Sequence, residues 1–219
     1  MTAAEKLNEE REELRNARME RILQAAFFLF SRRGIDTIAM TDIARQAEIG
    51  VASLYRYYET KDEIAVRTVV WAWEKQKEHI VPELEAAGFA DADGLGQLRM
   101  ILDKFVELYE QHADFLRFVS FFDSFAVRSG MDAARLDGYA QMIQSVQHFV
   151  TEAIRRGIAD GSIGGSWDAD ELYFALMHPF FCTAQKLSLS GELLQAESQP
   201  DGSRELRLLA GLLLKAVQA

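Results

Sequence analysis

The chain has one cysteine, three prolines and four histidines in 219 residues. A lone Cys182 in an apolar setting excludes a disulfide framework and a cysteine-based zinc site. The scattered histidines give no metal-ligand spacing, so neither metal nor cofactor is expected. Runs of β-branched residues are absent, while Ala, Leu, Glu, Gln and Arg are frequent. That composition predicts an all-α fold. The longest apolar run, Leu208 to Leu214, is too short to span a bilayer, and the N-terminus is too polar for a signal peptide. A soluble cytoplasmic protein without a membrane partner is the resulting expectation. Paired carboxylates with a helical Glu-x-x-His and a nucleophile with its base are also missing, which argues against an enzyme.

What is present is unevenly charged. The net charge is −10. Residues 1–14 hold two basic and five acidic side chains, and residues 62–219 hold fourteen and twenty-four. Residues 15–61, with eight basic and five acidic, are the only positive segment. A basic end on an acidic body would orient the molecule on a polyanion. Chance variation among segments is the alternative, and a charge of +3 alone does not exclude it.

Helical periodicity and punctuation divide the chain into about nine helices. The expected spans are Glu9 to Arg33, Met40 to Ala47, Val51 to Tyr57, Lys61 to Ala87, Leu95 to Gln111, Ala113 to Val127, Asp132 to Ala159, a helix from Asp168, and Ser203 to Gln218. Gly34 should stop the first helix. Thr60 with Glu63 forms a capping box for the fourth, which Pro82 should kink or end. Asp168 with Glu171 makes a similar start for the eighth, stapled by Trp167 and Leu172 and bent at Pro179. Gly191 and the polar stretch around Pro200 should separate the eighth helix from the ninth.

The stretch from Thr41 to Lys61 is the most informative. Two short helices flank a tight turn, and the second carries small, hydroxylated and aromatic residues where a core helix would carry leucines. That is the pattern of a DNA-reading helix-turn-helix. Around it stand Ile22-Leu23-Gln24-Ala25-Ala26, Leu29-Phe30, Gly34, Asp42-Ile43-Ala44, Ala47, Leu54-Tyr55-Arg56-Tyr57-Tyr58 and Lys61-Asp62-Glu63. Over roughly residues 18–67 this order resembles the N-terminal domain of the tetracycline-repressor (TetR/AcrR-like) transcriptional regulators. The remainder is similar in architecture only.

The resemblance implies two parts. Residues 1–67 would hold an N-terminal extension and the DNA-binding domain. Residues 68–219 would form a helical ligand-binding and dimerisation domain, joined through the fourth helix. It also implies a ligand-responsive regulator, acting as a repressor on a palindromic double-stranded operator and released by a small hydrophobic effector. A helical scaffold without DNA binding is the alternative, and an all-helical enzyme a more distant one.

On the DNA side, Val51 and Ala52 fit either thymine-methyl contacts or plain helix filler, and Ser53 fits a base or a phosphate. The family uses Tyr55 on DNA, Tyr57 would reach a phosphate, and Lys61 would clamp one at a helix N-terminus. Thr41 and Arg45 can reach backbone or base. Arg56 fits a phosphate or pairing with Glu59. Two positions depart from the family pattern. Ala39 replaces a capping Thr, leaving Thr41 to cap a turn later or the cap lost at a cost of about 1 kcal/mol. Glu48 replaces the turn glycine and is strained if φ is positive there, unless Gly50 relieves it.

In the larger part, aromatic residues recur at helical spacing. Each alone is read more readily as core, but together they suggest a cavity for a hydrophobic ligand. The candidates are Trp71, Phe105, Tyr109, Phe118, Phe121, Phe122, Phe125, Phe149, Tyr173, Met177 and Phe181, with His178 as a polar contact. The last helix is apolar nearly all round, so one side should meet its own core and the other a partner. Leu206, Leu209, Leu212, Leu213 and Val217 are its interface candidates, in a homodimer through helices 8 and 9.

Overall fold

A computed structural model describes residues 3–190 and 201–219. It shows nine α-helices and no named strand among the described residues: α1 Ala3–Arg33, α2 Met40–Gln46, α3 Val51–Leu54, α4 Lys61–Ala86, α5 Gly94–Gln111, α6 Ala113–Arg128, α7 Ala133–Asp160, α8 Ala169–Ser190 and α9 Gly202–Val217. The expected link around Gly191 and Pro200 lies outside the described residues. No described helix is long and apolar enough to cross a membrane.

Helix ends follow local chemistry. Gly34 takes a φ of +73° after α1, and Thr37 Oγ1 donates to the Arg33 carbonyl at 2.8 Å. The Thr60 hydroxyl caps α4 by accepting from the Glu63 N–H at 3.1 Å, while the Glu63 carboxylate accepts from the Glu59 N–H at 2.9 Å. The box thus closes one residue earlier than its usual form. Pro82 lies within α4 and does not end it. The connector after α4 forms a short 3₁₀ turn, Phe89–Asp91. Asp168 caps α8 as expected, accepting from the N–H groups of Asp170 and Glu171. Trp167 lies half-exposed and donates its indole N–H to the Gly164 carbonyl.

Two expectations are corrected. The third helix is one turn, Val51–Leu54, and Tyr55 to Tyr57 continue as tight turns in which the Arg56 and Tyr57 N–H groups bond three residues back. Gly50 does not relieve the preceding turn. It sits at φ −69° as the cap of α3, and Glu48 itself holds φ +55°.

The buried residues form one continuous core from Ile22 to Val217. Phe27 and Phe30 of α1 meet Phe118 of α6 with ring centroids 5.5 Å and 6.1 Å apart, and Phe27 meets Trp71 of α4 at 5.9 Å. The start of α5 lies against the end of α7 so closely that a side chain at Gly94 would sit 1.9 Å from the Gly157 nitrogen. The same junction is capped: the Gly94 N–H donates to Asp160 at 2.8 Å and the Leu95 N–H to Ser162 at 3.0 Å.

Candidate nucleic-acid interface and ligand cleft

Helices α2 and α3 are held from beneath by Ile43, Ala44, Ala47, Leu54 and Tyr58, all buried. Ala39, at the cap of α2, has no side-chain oxygen; the Asp42 carboxylate instead accepts from its N–H at 3.1 Å, and Thr41 stays exposed. At the turn, the Arg21 guanidinium donates to the Ala47 carbonyl at 2.6 Å and lies 4.0 Å from the Glu48 carboxylate. A non-glycine residue in the left-handed region costs roughly 1 kcal/mol, and Arg21 anchors the carbonyl just before it.

This scaffold exposes Thr41, Arg45, Val51, Ala52, Tyr55 and Arg56 on the surface. Tyr55 is half-exposed at 50%. Arg45 pairs loosely with Asp42 at 3.5 Å. Arg56 does not pair with Glu59; its guanidinium donates to the Ser53 hydroxyl at 3.1 Å. Tyr57 is half-buried against the core. Lys61 is engaged within the protein. Its ammonium donates to the carbonyls of Ile35 at 3.0 Å and Asp36 at 3.1 Å, which leaves one of its three donors.

The same corner carries ties to the larger part. Lys61 Nζ lies 5.8 Å from the Phe125 ring centroid, Arg128 of α6 pairs with Asp36, and Arg135 of α7 lies 3.6 Å from Asp62.

The expected aromatic cavity divides into separate clusters. Phe118, Phe122 and Phe125 are buried in helix packing: Phe118 against α1, Phe122 against Tyr139 at 4.9 Å, and Phe125 beneath Lys61. Trp71 also faces α1, and Phe121 is half-buried on α6. Tyr173 and Met177 are core residues of α8, and Tyr109 packs against Gly202 at the start of α9. His178 is exposed and rests on Phe174 with centroids 5.0 Å apart, so it supplies no polar contact inside. These residues were candidate lining because a stripe identifies a face without identifying what the face meets.

An apolar cleft does exist, between α4, α5 and α7, with a volume of about 150 Å³. Of the expected residues only Phe105 and Phe149 line it. The others are Trp73, Gln76, Lys77, Ile80, Val81 and Leu84 of α4, Ile101 and Lys104 of α5, and Ser145, Val146 and Val150 of α7. Phe181 stands behind, 5.9 Å from both Trp73 and Phe105. On α4 the polar Gln76 and Lys77 interrupt the apolar positions Trp73, Ile80 and Leu84, so no continuous apolar stripe marked this wall in the sequence. Near Trp73, the Tyr139 hydroxyl donates to Asp123 at 2.9 Å. Loss of solvent around this pair raises the pKa of both groups above their ordinary values. Among the described residues no three His, Cys, Asp or Glu side chains are grouped to hold a metal ion.

On α9, Leu206 and Val217 are buried in the chain's own core rather than free for a partner. Helical geometry puts them on the inner face with Ala210 and Leu214. Leu209 and Leu213 are half-buried, Leu212 is exposed, and Leu208 is exposed beside it.

Residues 22–68 match the family model of bacterial regulatory proteins, tetR family. The chain is TetR-like: it carries that family's N-terminal domain. The match runs from the last turns of α1 through α2 and α3 into the first turns of α4. Three solved structures show that the TetR-like fold extends over the rest. A TetR transcription regulator from Haloarcula marismortui is 18% identical with a TM-score of 0.72, covering 93% of this chain and 100% of that one. A transcriptional regulator from Saccharomonospora viridis, in complex with choline, is 20% identical with a TM-score of 0.71, covering 93% and 98%. The regulator FadR from Bacillus subtilis, in complex with stearoyl-CoA, is 15% identical with a TM-score of 0.67, covering 91% and 99%. No curated protein matches the chain in sequence.

Proposed function

We propose that this TetR-like chain is a transcriptional regulator, a repressor that binds a palindromic operator as a homodimer and is released by a small apolar effector. The observation that carries the reading is the surface of α2 and α3. Small residues and a half-exposed tyrosine sit on a fully buried scaffold, inside the segment that matches the family. Val51 and Ala52 would meet thymine methyls, Tyr55 and Ser53 base edges or phosphates, and Thr41, Arg45 and Arg56 the flanking backbone. Tyr57 and the remaining donor of Lys61, beside the N-terminus of α4, would take phosphates.

The division at residues 67 and 68 places the DNA-binding part and the effector part on one continuous helix, α4. The exposed Phe174 of α8 and Leu208 and Leu212 of α9 support a two-fold interface through these helices. Such a dimer would present α3 to successive major grooves about 34–36 Å apart. The effector would fit one arrangement of α4, α5 and α7 better than another, and only that difference in affinity can shift DNA binding. Two chains of this fold hold choline and stearoyl-CoA. Those ligands differ widely, so the effector of this chain has to be read from its own cleft.

The test is footprinting of the DNA upstream of the chain's own gene, followed by binding at increasing salt. A symmetric footprint and affinity falling steeply with salt are expected. Equal retention of this DNA and unrelated DNA, or no retention, overturns the proposal.

A further inference from the structure

The cleft between α4, α5 and α7 has one feature that sorts ligands by charge. Its walls are apolar, with Trp73, Ile80, Phe105 and Phe149 facing the space. Its volume of about 150 Å³ is that of an apolar cavity able to accept benzene. Two cations stand at it. Lys104 is already neutralised, with Glu83 at 2.9 Å and Glu107 at 2.6 Å. Lys77 has no carboxylate within ion-pair distance among the described residues. Its ammonium bonds only the Ser145 hydroxyl, at 3.1 Å across the cleft from α4 to α7. That hydroxyl donates in turn to the Met142 carbonyl at 2.7 Å. An ammonium at the open edge of the cleft with a neutral partner keeps donors and a charge available to an anion.

We propose that the cleft takes a small organic carboxylate with an aryl or short acyl body, its carboxylate bonded to Lys77 and its body against Trp73 and Phe149. This rests on the effector reading above and names the effector's chemical class. The apolar body accounts for the walls, and the single negative charge for Lys77, the cation at the cleft that has no counter-ion among the described residues. A neutral analogue forfeits the charge-assisted hydrogen bond, and an amine meets Lys77 as a like charge. Binding would also draw Lys77 away from Ser145, loosening a bond that joins α4 to α7.

The experiment is calorimetric titration of the full chain with 3-phenylpropanoate, 3-phenylpropan-1-ol and 3-phenylpropylamine. The acid is expected to bind about tenfold more tightly than the alcohol, and the amine weakest. Lys77→Met should bring the acid to within about threefold of the alcohol and leave the alcohol unchanged. Ser145→Ala should keep or increase the preference for the acid, because it frees the ammonium. Val146→Trp, which fills the cleft, should abolish binding of both. No binding of the acid, equal binding of acid and alcohol, a preference that survives Lys77→Met, or binding that survives Val146→Trp overturns the inference. DNA retention by the same samples separates the two readings. Lys77-dependent binding with unchanged DNA affinity keeps the site and removes its role as effector site. DNA binding with no affinity for the acid keeps the regulator and removes the carboxylate.

Discussion

The Lys61 ammonium lies 5.8 Å from the centroid of the Phe125 ring while it donates to the carbonyls of Ile35 and Asp36. One side chain therefore joins the loop after α1, the start of α4 and the end of α6. Two charge-assisted bonds at a partly exposed site contribute about 1 kcal/mol. Lys61→Met should lower the stability of the DNA-free protein by about that amount, read by urea unfolding. Unchanged stability would show that these two bonds contribute no net stability.

Tyr55 and Tyr58 are three positions apart and opposite in exposure. Tyr55 is half-exposed, while Tyr58 is 2% exposed with a hydroxyl that has no partner among the described residues. Tyr55→Ala should reduce operator affinity at least about tenfold with unchanged stability. Tyr58→Phe should raise stability by about 1 kcal/mol, since it removes an unsatisfied buried group, and leave operator affinity unaltered. Binding titrations beside thermal unfolding of both variants check the pair.

Glu48→Gly should stabilise the chain by about 0.5 kcal/mol, the relief of φ +55° outweighing the extra freedom of the unfolded glycine. The lost contact with Arg21, 4.0 Å long between largely exposed side chains, contributes little against this. Denaturant midpoints of the two proteins decide it, and a loss of stability would show that the turn is not strained.

The two faces of α9 should respond to substitution in different ways. Leu206→Ala opens a cavity within the chain's own core and should cost about 3 kcal/mol. Leu212→Glu alters only the exposed face and should shift the chain from dimer to monomer, as seen by sedimentation. Association unchanged by Leu212→Glu would place the interface elsewhere.

Asp160 accepts from Ser162 and from the Gly94 N–H, and these bonds hold its carboxyl below the ordinary carboxylate value. A depressed acid contributes stability that is present above its unfolded pKa and lost as pH falls through the folded one. At neutral pH Asp160→Asn should be less stable than the parent. The gap should close below about pH 4, and urea unfolding across pH 3 to 7 measures it. A constant gap would assign the effect to shape rather than charge.

The fold was legible where a residue acts on its own neighbours. Gly34, Thr60 with Glu63, and Asp168 place helix ends through bonds that close within four residues, and the apolar periods of α1, α5 and α6 place the core. At Glu48 the departure from the family pattern marked the position, but only the backbone showed that its φ is positive and that Gly50 does not relieve it. The cleft was not. Phe118 and Phe105 carry the same pattern in sequence, yet one meets α1 and the other lines the open space, and that is settled by how helices cross. The pairing of Lys77 with Ser145 spans 68 positions and has no local signal.

At the junction of α5 with α7, two backbones touch at Gly94 and Gly157 and share the caps from Asp160 and Ser162. Helices locked in this way cannot part at that end. Of the three walls of the cleft, two are therefore tied to each other at that end. The third wall, α4, is the helix whose first turn is held against the helix-turn-helix segment through Lys61.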